Sequence, residues 1–200
     1  MRKRPLVTHV IFDFDGLLVD TEPSYTLANE AMLKKFNREF TMDHKLSKCS
    51  LMLFLHSSGV QKQEGDIGIS DMMGRKSMEA IAWLLEEVGI SDRVTPEEYA
   101  VEYDDMLADL FRKCRSLPGA ERLVRHFASK GVPMAICTGS CSRAYAQKAE
   151  SHRDWLDLIP VQVSNCSSSV VLTAFLFSVD KVLGSLEEFK PEEFGLPAFD

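Results

Sequence analysis

Residues 10–16 read Val10-Ile11-Phe12-Asp13-Phe14-Asp15-Gly16, and this short stretch decides how the chain folds. The run from Leu6 to Phe14 is apolar and partly β-branched, which predicts a buried strand, and Asp15-Gly16 ends it with turn chemistry. Alternate side chains of an extended segment project to the same side, so Asp13 and Asp15 stand together at the strand's carboxyl end. Two carboxylates so close repel each other unless a cation lies between them or beside them. A divalent ion with oxygen ligands is suited to that role, and Mg²⁺ is favoured where phosphate oxygens complete its octahedron. In such a pair the first carboxylate can attack phosphorus and carry a covalent phosphoryl group. The second can protonate a leaving oxygen and later activate water.

Working outward, Thr21-Glu22-Pro23 predicts a helix start, followed by Tyr25, Ala28, Met32 and Phe36 at helical spacing. A second helix carries Met78, Ile81, Ala82, Leu85 and Val88 on one face and stops at Gly89, a residue suited to a left-handed cap. Thr95-Pro96-Glu97-Glu98 supplies an N-cap, a first-turn proline and early acids for a third helix with Tyr99, Tyr103, Met106, Leu107, Leu110, Phe111 and Cys114 inward. Pro118-Gly119 then breaks the pattern. A short helix carrying Leu123, Val124 and Phe127 ends at Lys130-Gly131, and the apolar run Val132 to Cys137 predicts a second strand. That strand leads into Thr138-Gly139-Ser140, a hydroxyl and two backbone N–H groups at a helix start, which together make an anion site. Strand, helical insertion, helix and strand describe an α/β fold with a parallel sheet and a ligand crevice at the carboxyl ends of its strands.

The chain of 200 residues is 45% hydrophobic and 26% charged, enough for one core and an appended helical subdomain. A net charge of −7 argues against nucleic acid and acidic membrane surfaces as partners. The apolar run Val170 to Val179 is far shorter than the roughly 20 residues of a membrane helix. Cys49, Cys114, Cys137, Cys141 and Cys166 are odd in number and lack paired spacing, which points to a reducing, cytoplasmic setting and away from disulfides or zinc. His9 and Cys137 are expected in the core, His126 and His152 on helices without metal partners, and Trp83 and Trp155 as helix anchors.

V-I-F-D-F-D-G-L-L-V-D-T-E at residues 10–22 and Met134-Ala-Ile-Cys-Thr-Gly-Ser140 resemble the first two motifs of the haloacid dehalogenase superfamily of hydrolases. The segments MGRKSMEA, LPGAERL and SLEEFKPEEFGLPAFD are similar to that superfamily's pseudouridine 5′-phosphatases and their near relatives. The resemblance covers residues 5 to about 43, 71 to about 163, and 179 to 200. It implies a Rossmann-like core built from residues 1–20 and 118–200, with a helical cap, residues 21–117, inserted after the first strand. It implies Asp13 as nucleophile, Asp15 as general acid and base, Thr138 with Gly139 and Ser140 on the phosphoryl group, and Mg²⁺ at Asp13 and Asp15. The implied reaction is hydrolysis of a small phosphomonoester, pseudouridine 5′-phosphate among the candidates, with a monomer as the expected state. A phosphosugar mutase of the same superfamily would share both motifs and hand its phosphoryl group to a sugar instead of water. Gly74-Arg75-Lys76 reads as a solvated helix start that could also bring positive charge toward a phosphate.

Two stretches depart from this pattern. His44 to Ser70 interrupts the cap with mixed, glycine-rich sequence and reads as a long, poorly ordered insertion. After Val163 the chain passes through Ser-Asn-Cys-Ser-Ser-Ser at residues 164–169 and an apolar run directly to the tail. The lysine and the acidic strand end that the superfamily carries after its second motif are not found there. Such a gap fits alternative exon use or a misassembled gene model. It implies a core incomplete on its C-terminal side and makes a catalytically impaired relative the rival reading. Lys181 and Lys190 lie in the C-terminal tail that shares the resemblance, and Asp157 and Asp180 lack the strand-end pairing that singles out Asp13 and Asp15.

Overall fold

The computed structural model describes residues 7–40, 77–164 and 181–200. The insertion at 44–70, Gly74-Arg75-Lys76, the 165–169 serine stretch, the apolar run 170–179, Cys49, Cys166 and Asp180 all lie outside the described residues. The chain divides into two compact units, residues 1–22 with 111–200 and residues 23–110.

The first unit holds a parallel three-stranded sheet of β1 (Val10–Phe12), β4 (Met134–Cys137) and β5 (Val161–Val163), in the order β1-β4-β5. Val10, Ile11 and Phe12 lie beside Met134, Ala135 and Ile136. The ladder from β1 stops there, three residues long, because the chain curls back: the Phe14 carbonyl accepts from Leu18 N and Val19 N at 3.0 and 3.1 Å. The expected strand is therefore shorter than the apolar run, and Asp13 and Asp15 sit on the turn beyond its end. His9 precedes β1 and is exposed, against the expectation of a packed position, with Nδ1 2.9 Å from Thr8 Oγ1. A short antiparallel pair, β2 (Val19–Asp20) with β3 (Arg115–Ser116), joins the segments that leave and re-enter this unit.

One face of the sheet packs on helices. Phe12, Met134 and Ile136 are buried with Leu123, Val124 and Phe127 of α4 (Ala120–Ser129) and Trp155 and Leu156 of α6 (Arg153–Leu156). The other face carries Ile11, Ala135 and Val161 side by side, and Ile11 and Val161 remain 63% and 51% exposed. A parallel sheet is ordinarily covered on both faces, so this open face is unusual. β5 is tied to its neighbours by polar contacts: Tyr145 Oη donates to Gln162 Oε1 at 2.8 Å, and Gln162 Nε2 donates to the carbonyls of Leu156 and Ile159 at 3.0 Å.

The C-terminal segment docks on α4. Phe189 meets Phe127 edge-on, Arg122 stacks 4.3 Å from the centroid of Phe199, His126 Nε2 donates to the Pro197 carbonyl at 2.8 Å, and Lys130 pairs with Asp200. Gly119, just before α4, has φ +84°, and a Cβ there would lie 2.7 Å from Glu187 N and 2.8 Å from Leu186 C, both backbone atoms.

The second unit is a helical cluster of α1 (Glu22–Lys35), α2 (Ser77–Glu87) and α3 (Pro96–Phe111). Met32, Leu33, Ile81, Leu84, Leu85, Ile90 and Tyr99 form its core. Burying each of the larger side chains is worth about 1.5–3 kcal/mol. The punctuation read from the sequence recurs: Gly89 has φ +66°, and Thr95 and Glu98 exchange hydrogen bonds in a capping box.

Gly119→Ala is expected to destabilise the first unit by about 2 kcal/mol or more, since both the left-handed backbone and the collision with residues 186–187 oppose a side chain. Urea unfolding of the two proteins measures this directly.

Candidate active site

Three segments far apart in sequence meet at the carboxyl end of β1. The turn after β1 brings Asp13 and Asp15, the loop after β4 brings Thr138 to Ser140, and α5 (Ser142–Ala149) brings Lys148. Asp13 Oδ1 accepts the Phe14 backbone N–H at 2.7 Å. Asp15 is held more heavily: its Oδ2 accepts from Thr138 Oγ1 at 3.0 Å and Ser140 Oγ at 2.8 Å, and its Oδ1 accepts from Lys148 Nζ at 2.5 Å. Lys148 Nζ also donates to Ser140 Oγ at 2.9 Å and lies 4.5 Å from the centroid of the Phe111 ring. Ser140 N donates to Thr138 Oγ1 at 3.1 Å, closing a turn that aims the Thr138 hydroxyl at Asp15.

The two acids are driven apart in acidity. Burial pushes the Asp13 carboxyl above its ordinary range, the Phe14 amide partly offsets this, and the neighbouring Asp15 charge adds to it. Burial alone would raise Asp15 too, but the Lys148 ammonium and the hydroxyls of Ser140 and Thr138 outweigh it and hold Asp15 below its ordinary range.

The sequence reading did not single out Lys148, which looks like one more solvated lysine near a helix end. Its signal was spacing: Tyr145, Lys148 and Ala149 stand three and four apart on the buried face of α5. Lys148 is fully buried, and Tyr145 packs edge-on against Phe14 at 4.7 Å, which holds α5 against the turn after β1. The remaining candidates lie elsewhere. Lys181 pairs with Glu193, Asp157 pairs with Arg153, and buried His152 bonds the Cys114 carbonyl. Among the described residues no three His, Cys, Asp or Glu side chains converge as a metal cluster. Nor is any described helix long and apolar enough to cross a membrane. The donor set does suit a hard cation at Asp13, an all-oxygen ligand whose charge is raised in energy by burial and by Asp15.

A family model described as haloacid dehalogenase-like hydrolase matches residues 7–172. (DL)-glycerol-3-phosphatase 2 of Arabidopsis thaliana is 31% identical, over 98% of this chain and 95% of its own length. A probable pseudouridine-5′-phosphatase of Drosophila melanogaster is 25% identical, over 96% of each chain. Among solved structures, a protein of Thermotoga maritima taken to be a β-phosphoglucomutase superposes with a TM-score of 0.57 at 20% identity, covering 86% of this chain and 72% of that one. The alignment with the Arabidopsis protein runs to 251 positions against the 200 residues here, so at least 51 of its positions face an internal gap in this chain.

Because burial and the neighbouring Asp15 charge raise the Asp13 pKa, its ionised form is disfavoured in the folded state, and Asp13→Asn is expected to raise the thermal midpoint at neutral pH. The unfolded carboxyl titrates near 3.8 and the folded one higher. The destabilising charge is thus fully present above the folded value, fades as pH falls through it, and is gone below 3.8. Thermal scans of both proteins across this range should show the gain largest at neutral pH and shrinking toward acidic pH.

Proposed function

This chain belongs to the haloacid dehalogenase-like hydrolases, and from that premise we propose that it hydrolyses a small phosphomonoester through an aspartyl phosphate on Asp13. The observation that carries this reading is the convergence of Asp13, Asp15, Thr138 and Ser140 at one strand end.

In this reading the Asp13 carboxylate attacks phosphorus as the ester oxygen leaves. Asp15 carries the proton transfers once bound substrate loosens its pairing with Lys148 and lets its carboxyl hold a proton: it delivers that proton to the leaving oxygen, then takes one from the water that cleaves the aspartyl phosphate, so the cycle closes with the site restored. The hydroxyls of Thr138 and Ser140 and the amide of Gly139 are the nearest donors for the transferring phosphoryl oxygens. Mg²⁺, bound through Asp13, would supply charge neutralisation to those oxygens.

Glycerol 3-phosphate and pseudouridine 5′-phosphate, the substrates named in the two relatives, are both phosphate esters of a primary alcohol on a small polyol. We assign this chain the same class of substrate and read the helices of residues 21–117 as the cap that selects the alcohol. The odd number of scattered cysteines, without paired spacing in the sequence, favours a reducing cytosolic setting.

Phosphate release from glycerol 3-phosphate, pseudouridine 5′-phosphate and a panel of other monoesters in Mg²⁺ tests the reading. Turnover is expected to fall at least about a thousandfold in Asp13→Asn, and an acid-quenched phosphoenzyme should form only in the parent chain. A protein that unfolds cooperatively yet releases no phosphate from any ester would identify a silent relative.

A further inference from the structure

The segment from Lys181 to Asp200 holds much of its shape through contacts with itself. Ser185 Oγ accepts from Glu187 N at 3.2 Å and opens the short 3₁₀ turn Leu186–Glu188, and Pro191–Phe194 forms a second such turn. The rings of Phe189 and Phe194 stack with centroids 5.2 Å apart, and Lys181 pairs with Glu193. A segment organised in this way gives up little freedom when it docks.

Its anchors outside itself are on α4 and the turn before that helix. Arg122, His126 and Lys130 recur every four residues and so share one stripe along α4 and its cap. Arg122 Nη2 donates to the Glu187 carbonyl at 3.2 Å, and its guanidinium lies 4.3 Å from the centroid of the Phe199 ring. His126 donates to the Pro197 carbonyl at 2.8 Å, and its ring lies 4.5 Å from that of Phe199. Lys130 pairs with Asp200 at 2.6 Å. Phe199 therefore meets both a guanidinium and an imidazole, and aromatic and arginine anchors of this kind carry much of the energy of protein interfaces.

A surface that reads a preformed segment is indifferent to which chain supplies it. Residues 165–180 separate Ser164, just past β5, from this segment, and sixteen residues can span up to about 55 Å. Connectivity thus does not compel the segment to return to its own α4. We propose that the Arg122–His126–Lys130 stripe, with the Gly119 turn, is an interaction surface for the 184–200 segment of a second copy of this chain, so that two chains can exchange segments. Such a pair is two-fold, each α4 holding its partner's segment. Within one chain the resident segment competes at an effective concentration on the order of millimolar, so exchange grows with protein concentration. None of these residues belongs to the Asp13 site, and the proposal stands apart from the phosphatase reading.

Two full-length variants test it. Arg122→Glu spoils the stripe and leaves the segment intact, while Phe199→Ala spoils the segment and leaves the stripe intact. Each alone should sediment as a monomer. Mixed at about 1 mM each, near the effective concentration, they should form a heterodimer, because the intact segment of one chain meets the intact stripe of the other. Placing both changes in both chains should abolish it. A mixture that stays monomeric, or a dimer that survives the double changes, would overturn the proposal. A readout on the unaltered chain covers variants that do not fold. The anisotropy of a fluorescent synthetic peptide of residues 184–200 should rise as the parent chain is added, and the same peptide bearing Phe199→Ala should bind at least about tenfold more weakly. Equal binding of the two peptides, or binding of neither, counts equally against the exchange.

Discussion

The ion pair of Lys148 with Asp15 is the contact on which the functional end of the sheet depends. It joins the turn after β1, the loop after β4 and helix α5, segments that the β1–β4 pairing and the packing of Tyr145 on Phe14 bring within reach of one another. Taking an ammonium wholly out of water is costly, and the pair offsets that cost only because the remaining donors and acceptors are also satisfied. Ser140 accepts from Lys148 and donates to Asp15, and Thr138 accepts from the Ser140 amide while donating to Asp15. The result is a small closed network in which every hydroxyl has a defined direction, and which distinguishes two carboxylates that the sequence presents as near equivalents.

The sheet beneath this network is narrow. Three strands suffice to carry the two loops, and helices α4 and α6 cover one face, but Ile11 and Val161 stand exposed on the other. The internal gap against the Arabidopsis phosphatase agrees with the sequence reading of a core shortened on its C-terminal side. The tail is nonetheless seated. It holds to α4 through an aromatic contact, a cation over a ring, a buried histidine and a glycine too tightly approached to tolerate a side chain. Those contacts are made to α4 and the turn before it.

Much of the local structure was legible because it follows from punctuation that acts over a few residues. Gly89 ends α2 with a positive φ, Thr95 and Glu98 cap α3 reciprocally, and the apolar positions of α1 and α3 recur at helical spacing. Leu84, buried but absent from the expected face of α2, shows the limit of spacing alone. His9 failed for a different reason. An apolar neighbourhood suggested a core position, but burial is set by where the partner strand begins, and β4 pairs only from Val10 onward.

From sequence by itself, the chain's α/β class, its paired carboxylates at a strand end and its hydroxyl-glycine loop were all determined, because each is a property of neighbours along the chain. The tertiary structure alone decided that Lys148 meets Asp15, that the two acids diverge in acidity, and that one sheet face stays open. These depend on segments brought together across more than a hundred residues, and on desolvation, which acts on a charge only once the surrounding protein has excluded water from it.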